Sequence, residues 1–309
     1  MRRVAIGVTT FERPKLLRRT LEAIAALECK ADIEVFVADN GFEKQEGVAV
    51  AHEMRDAGFP FPITAFAVTD RGITYPRNAL VDRVFENLDT DFLAFVDDDQ
   101  LPEVNWLQAL LDVQASYQSD AVGPAVLPMF EDPPPKWAES SSIYRRYSRN
   151  TGLVPILDGT GGVLLAKSIL NKIKRPWFNN YFALSGGEDF EFFLRLKANG
   201  GKFAFATEAI INEYYTEDRV TMSWALKRAY RIGNSSILIN LLSQPKWQVV
   251  VRQAPKMVVG ALLGPVLAAL SIWSPGLAFD MLCKSARAYG KFTALLGSRY
   301  LEYERIHGN

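Results

Sequence analysis

The stretch FLAFVDDDQ, residues 92–100, runs five apolar residues straight into three adjacent carboxylates, Asp97, Asp98 and Asp99. The apolar run is short enough for a buried strand. The carboxylates behind it repel one another unless a cation sits among them. One aspartate is well explained as a turn or helix-cap residue. Three in succession ask for more, and a hard divalent cation, which takes carboxylate oxygens and can also hold a diphosphate, answers the need. The residues upstream decide where this site stands. VAIGVTT (4–10), IEVFVAD (33–39) and ITAFAV (63–68) read as further strands, separated by a helix opened by Pro14, a helical segment over 48–57, and an amphipathic helix YPRNALVDRVFENL (75–88). Alternating strands and helices predict an α/β protein with a mostly parallel sheet covered on both faces. Ligands of such sheets gather beyond the carboxyl ends of the strands. Thr9-Thr10, Asp39-Asn40-Gly41, the 70–78 loop and the aspartate run all fall there, so they are expected to converge in space.

Composition narrows the chemistry. The 309 residues are 49% hydrophobic and 23% charged, as in a folded protein of one large domain or one domain with an appendage. With 35 basic and 35 acidic residues there is no global electrostatic case for a nucleic-acid partner. The two cysteines, Cys29 and Cys283, suggest no disulfide framework and fit a reducing cytoplasm. His52 and His307 are the only histidines, which argues against a His-based triad or a His-rich zinc site and favours oxygen ligands for any metal.

The second half is less regular. EDPPPKWAESSSIYRRYSRN (131–150) reads as a long excursion, DGTGGVLLAK (158–167) as a glycine-led strand, and GGEDFEFFLRL as a loop entering a helix near Asp189 that Gly200-Gly201 stops. Glu188 and Asp189 are either the acidic first turn of that helix or, with no histidine suitably placed, the source of a general base. KFAFA and AIINEYY, within 202–215, read as two strands, and 220–240 as a helix carrying Lys227, Arg228 and Arg231. Beyond Gln244-Pro245 the composition turns apolar. The expected organisation is therefore an α/β domain over 1–244 followed by an apolar helical region over 245–309, with the boundary near residue 245. The N-terminal apolar run is too short for a signal peptide. Residues 257–279 contain no charge. A membrane span, a re-entrant or interfacial hairpin and a buried helix pair all remain open, with basic residues on both sides favouring a hairpin or in-plane segment.

Taken in order, VAIGVTTFERP, EVFVADNG, DRGITYPRN, FLAFVDDDQLP, GTGGVLLAK, GGEDFEFFLRL and MSWALKRAYRIGNSS resemble glycosyltransferase family 2 over roughly residues 3–236. The C-terminal part, including AYGKFTALLGSRYLEYERI, resembles bacterial exopolysaccharide glucosyltransferases of the succinoglycan type. The resemblance implies a GT-A (Rossmann-like) catalytic domain over 1–244, with a nucleotide-binding half at about 1–100 and an acceptor-binding half at about 101–244, and an inverting, non-processive, metal-dependent hexosyltransferase. It would use a UDP-sugar, UDP-glucose foremost, and extend a lipid-linked saccharide at the cytoplasmic face of a bacterial inner membrane. By the same resemblance Thr9 and Glu12 line the nucleotide pocket, Asp39 accepts from the uracil N–H, and Arg77 helps hold the nucleotide. Asp97 and Asp98 face ribose and metal, and Asp99 ligates Mn²⁺ or Mg²⁺. Asp189 is then the base with Glu188 in support, and Arg228 and Arg231 approach the diphosphate or acceptor.

Two departures stand out. The histidine that many members carry after the second late strand is replaced here by INEYYTEDR, with Glu213 the nearest polar candidate, so the third metal ligand is open. The Q-x-x-R-W signature of processive synthases is absent, which predicts one sugar added per encounter. The competing classes are a nucleotidyltransferase or phosphohydrolase built on the aspartates, which lacks a P-loop here, and a catalytically silent nucleotide-binding subunit.

Overall fold

The computed structural model describes residues 1–87, 89–144 and 149–302. Leu88 at the end of the expected third helix, residues 145–148 of the excursion, and 303–309 with His307 and the end of the C-terminal motif lie outside them. In chain order β1 (Arg2–Thr10), α1 (Pro14–Ala25), β2 (Ala31–Asp39), α2 (Glu46–Asp56), β3 (Ile63–Ala67), α3 (Thr74–Asn87) and β4 (Phe92–Asp97) realise the expected alternation. There follow β5 (Gln100–Pro102), α4 (Trp106–Tyr117), β6 (Ala121–Phe130), α5 (Lys136–Ser140), β7 (Gly152–Val154), β8 (Leu164–Ala166), α6 (Glu188–Ala198) and β9 (Phe203–Tyr215). Three long helices close the chain: α7 (Met222–Ser243), α8 (Lys246–Leu270) and α9 (Pro275–Leu295).

One sheet runs in the order β3-β2-β1-β4-β8-β6-β9-β5, with β7 also on β9. It is parallel through β3-β2-β1-β4 and mixed beyond, where β8 runs against both β4 and β6. Side-chain alternation explains its two faces. Val4, Ile6 and Val8 of β1 join Ile33, Val35 and Val37 of β2 and pack with α1, α2 and α4. The residues between them, Ala5, Phe36 and Ala38, with Leu93 and Phe95, face the other way onto Leu80, Val81 and Val84 of α3 and Phe192, Phe193 and Leu196 of α6. A strand covered on both sides reads as a continuous apolar run. The parallel register then sets Thr10 beside Asp39 and Thr9 beside Asp97 at one sheet edge.

Two expected elements differ. KFAFA and AIINEYY form one strand, β9, whose pairing with β6 steps from Ala206 to Ile210 at a bulge. Thr207, inside the bulge, is held from outside by Thr151 Oγ1 at 3.0 Å, so the chain kinks without leaving the sheet. Of DGTGGVLLAK only Leu164–Ala166 is strand, and its glycines belong to the loop before it.

The terminal helices stack on the domain. A break at Gln244-Pro245 separates α7 from α8, and α9 returns between them. Ala225 and Ala229 of α7 meet Phe279 and Cys283 of α9 and Tyr144 and Tyr215 of the domain. The α7–α9 crossing depends on two glycines. A Cβ on Gly233 would stand 2.1 Å from Arg287 O, and one on Gly290 2.1 Å from Tyr230 O. Gly290→Ala is expected to force the helices apart and cost about 1–3 kcal/mol, read as a lower urea midpoint.

Candidate active site

At the carboxyl edge of the parallel strands a cavity of about 450 Å³ opens toward α6 and α7. Thr9, Arg77, Asp97, Asp98, Asp99, Glu188, Asp189, Arg228 and Arg231 line it, although they come from five separate parts of the chain. Two expected residues stand elsewhere. The buried Asp39 carboxylate accepts from the backbone N–H groups of Gly41 and Gly47 at 2.8 Å and of Val48 at 3.2 Å, so it anchors the start of α2; its neighbour Asn40 reaches the wall instead. Glu12 turns out of the cavity and meets Lys44 at 3.2 Å.

Each aspartate of the run has its own cationic partner. Asp97 Oδ1 accepts from Arg77 Nη2 at 3.1 Å. Asp98 accepts from Thr10 Oγ1 at 2.8 Å and Arg13 Nη1 at 3.2 Å. Asp99 Oδ2 accepts from Arg219 Nη1 at 2.5 Å, with Arg13 Nη1 at 3.6 Å. Burial pushes the Asp97 carboxyl up to about 6, against the pull of Arg77. Burial raises Asp98 too, against Arg13. Burial also works against ionised Asp99, but Arg219 and Arg13 win and hold it below the usual carboxylate range. Among the described residues no hydrogen bond reaches Asp97 Oδ2 or Asp99 Oδ1, and no three His, Cys, Asp or Glu side chains already surround one point. Two such hard oxygens fit Mg²⁺ or Mn²⁺, which fill their remaining positions with water and substrate phosphates.

The acidic pair enters from α6. Gly187, at φ +100°, caps the helix and aims Glu188 and Asp189 into its first turn. Arg77, buried at 4% exposure, donates through Nη1 to both Glu188 and Asp189, at 2.6 Å in the latter case. Asp189 also accepts from Thr160 Oγ1 at 2.9 Å and Thr160 N at 3.3 Å, and its side chain keeps 23% exposure toward the cavity. Glu188 is buried deeper, and among the described residues its Oε2 has no hydrogen-bond partner. Burial first, and then the charge of Asp189, push its carboxyl up to about 7 despite Arg77.

That shift has a sign. A carboxyl with a raised folded value binds its proton more tightly in the folded state, so its contribution favours folding at low pH and fades as pH rises from its ordinary 4.5 through about 7. Wild-type stability is expected to fall over this window in urea titrations, and Glu188→Gln to flatten the fall.

Beyond the expected residues, the cavity wall includes Arg13, Arg219, Gln100 and Trp224, with Arg228 over the Trp224 ring at 5.2 Å and 3.6 Å from Glu213. Arg13 carried a signal, a base three residues after a strand end. Arg219 carried none, because 120 residues separate it from Asp99.

The mixed sheet flanked by helices is a fold similar to that of the GT-A glycosyltransferases. The family model for "glycosyltransferase like family 2" matches residues 2–234, and the chain belongs to that family. It is 31% identical over 240 residues to the succinoglycan biosynthesis protein ExoM of Rhizobium meliloti (strain 1021), covering 75% of this chain and 73% of the relative. Among solved structures, the mannosyltransferase PcManGT of Pyrobaculum calidifontis, in complex with GDP-Man and Mn²⁺, is 14% identical with a TM-score of 0.65, over 97% of this chain and 89% of that one. Residues 1–349 of S. aureus TarS, in complex with UDP-GlcNAc, are 14% identical with a TM-score of 0.52, over 97% and 93%. Against a longer TarS chain the match spans 54% of its length. These structural likenesses concern the fold.

Proposed function

We propose that the protein is an inverting, non-processive hexosyltransferase. It moves a sugar from a UDP-sugar, UDP-glucose foremost, to a hydroxyl of a lipid-linked saccharide in exopolysaccharide assembly, at the cytoplasmic face of a bacterial membrane. The observation that carries the reading is the arrangement of Asp189. It is held by Thr160 and Arg77 in the wall that also bears the three aspartates, which supports a base and a diphosphate site sharing one cavity. The kinship with ExoM supports the pathway, and the nucleotide-sugar complexes of the structural neighbours support the donor class.

In this reading Asp189 takes the acceptor hydroxyl's proton as its oxygen attacks the anomeric carbon. The carbon–oxygen bond to the diphosphate breaks on the opposite face, UDP leaves, and an α-linked donor yields a β-linkage. Asp97 and Asp99 would hold Mn²⁺ or Mg²⁺, which supplies positive charge to the diphosphate. Arg228 and Arg231 on α7 face the same space and favour the growing charge of the leaving group. Glu188, mostly protonated at lower pH, orients Arg77 rather than meeting substrate.

The test is a screen of UDP-, GDP- and dTDP-sugars with Mn²⁺ or Mg²⁺ and membranes bearing lipid-linked acceptors. Release of UDP and a β-linkage by NMR are expected. Release of UMP would move the protein to nucleotidyl transfer, and no release with any donor and acceptor would leave a binding subunit.

A further inference from the structure

The last two helices carry a large apolar surface that none of the described residues covers. Of the residues of α8 only Val249, Gln253, Gly264 and Ala268 are buried. At 100° per residue they form one stripe, facing α9. There Gly260 lies against Ala288, and Ser285 Oγ donates to Gly260 O at 3.0 Å. Val251, Val258, Val259, Leu262 and Val266 occupy the arc centred opposite that stripe, and all are exposed. The turn beyond α8 adds Ile272 and Trp273, the latter 92% exposed.

Charge says what covers this face. Between residues 246 and 299 stand seven basic residues, Lys246, Arg252, Lys256, Lys284, Arg287, Lys291 and Arg299, against one acidic residue, Asp280, in a chain of zero net charge. Asp280 is turned inward, accepting from Ser141 Oγ at 2.6 Å and Ser142 N at 2.9 Å. The exposed Arg252 and Lys256 flank the apolar arc on one side, where long side chains can reach anionic headgroups while the arc lies in acyl chains.

Docking decides the orientation. Although α8 is long and apolar enough to cross a bilayer, α9 is fixed to the domain along its length. At its start Gly276 lies against Ser140 and Phe279 packs on Trp137 with ring centroids 4.5 Å apart; further on, Gly290 meets α7. Helix α8 is bound to α9 and so lies flat on the protein. Pro255 and Pro265 also lack the N–H that would bond Val251 O and Ala261 O. Water and headgroups satisfy such carbonyls at an interface, whereas the hydrocarbon core does not.

We propose that the outer face of α8, with Ile272 and Trp273, lies in the plane of an anionic phospholipid surface, as an interfacial helix that does not span the bilayer. The inference rests on the membrane association proposed above and not on the transfer chemistry, so its test uses neither donor nor acceptor. Full-length protein is mixed with phosphatidylcholine vesicles with and without phosphatidylglycerol. Binding is expected to rise at least about tenfold with the anionic lipid and to weaken with salt. Fluorophores on Val251→Cys, Leu262→Cys and Ala269→Cys, in a Cys29→Ser, Cys283→Ala background, are expected to be quenched by labelled lipids at one shallow depth. Depth increasing steadily from 251 to 269 would mean a span and would overturn the proposal. So would absence of vesicle binding, or a concentration-dependent dimer that shields these labels without lipid. The double variant Val258→Asp, Leu262→Asp is expected to lose vesicle binding at least tenfold while keeping the wild-type unfolding midpoint, since both residues are exposed.

Discussion

Replacing Asp189 with Asn is expected to cut sugar transfer by about 10²–10⁴-fold while the nucleotide sugar still binds. The substitution keeps shape and removes the basic oxygen. Asp189 and Glu188 adjoin in sequence, but their surroundings divide the roles. Asp189 faces the cavity and is fixed by Thr160 and Arg77. Glu188 is buried, and its carboxyl is pushed up to about 7. Titration calorimetry with UDP is expected to give nearly the wild-type affinity for Asp189→Asn, with the loss confined to turnover. Undiminished transfer would sink the assignment of the base. Glu188→Gln is expected to cost far less activity, because a neutral group already serves that position at the acid end of the pH range.

Arg77→Met is expected to be the most destabilising single change in the site. Its guanidinium contacts Glu188, Asp189 and Asp97, and the first of these is as deeply buried as Arg77 itself. Removing the cation leaves buried charge unpaired, which costs about 3–5 kcal/mol, lessened to the extent that Glu188 takes up a proton. Urea unfolding reads the loss as a lower midpoint at unchanged slope. Because protonation relieves the damage, Arg77→Met should suffer more at pH 8 than at pH 6. Combining it with Glu188→Gln is expected to restore part of the loss, giving a coupling energy by double-mutant cycle. A purely additive double variant would mean that Arg77 and Glu188 do not depend on each other.

Much of this site was legible because sheet topology does the gathering. Strand ends marked by Thr9, Asp97 and the helix start at Arg77 are local features, and parallel pairing brings them to one edge whatever lies between. Asp39 shows where that reasoning stops. A carboxylate at a strand end looks the same in sequence whatever it accepts from, and only the path of residues 40–48 brings the N–H groups of Gly41, Gly47 and Val48 to this one. Arg219 and Thr160 were out of reach for another reason. Each meets its carboxylate through a contact between segments far apart in the chain, and no periodic pattern announces such a pairing. For the tail, composition alone left three arrangements open. The in-plane proposal rests on the docking of Gly276, Asp280 and Gly290, small or polar positions that carry no hydropathy signal.

Helix α7 serves the cavity and the tail at once. Trp224, Arg228 and Arg231 point one way into the cavity, while Ala225, Ala229 and Gly233 take α9 on the other side. Shortening the gene to obtain a soluble enzyme, ending it after Ser243, would therefore strip the back of the wall that holds the arginines. The tail cannot be treated as a detachable handle: solubility is better sought by recolouring the outer face of α8 with polar residues and leaving the chain whole.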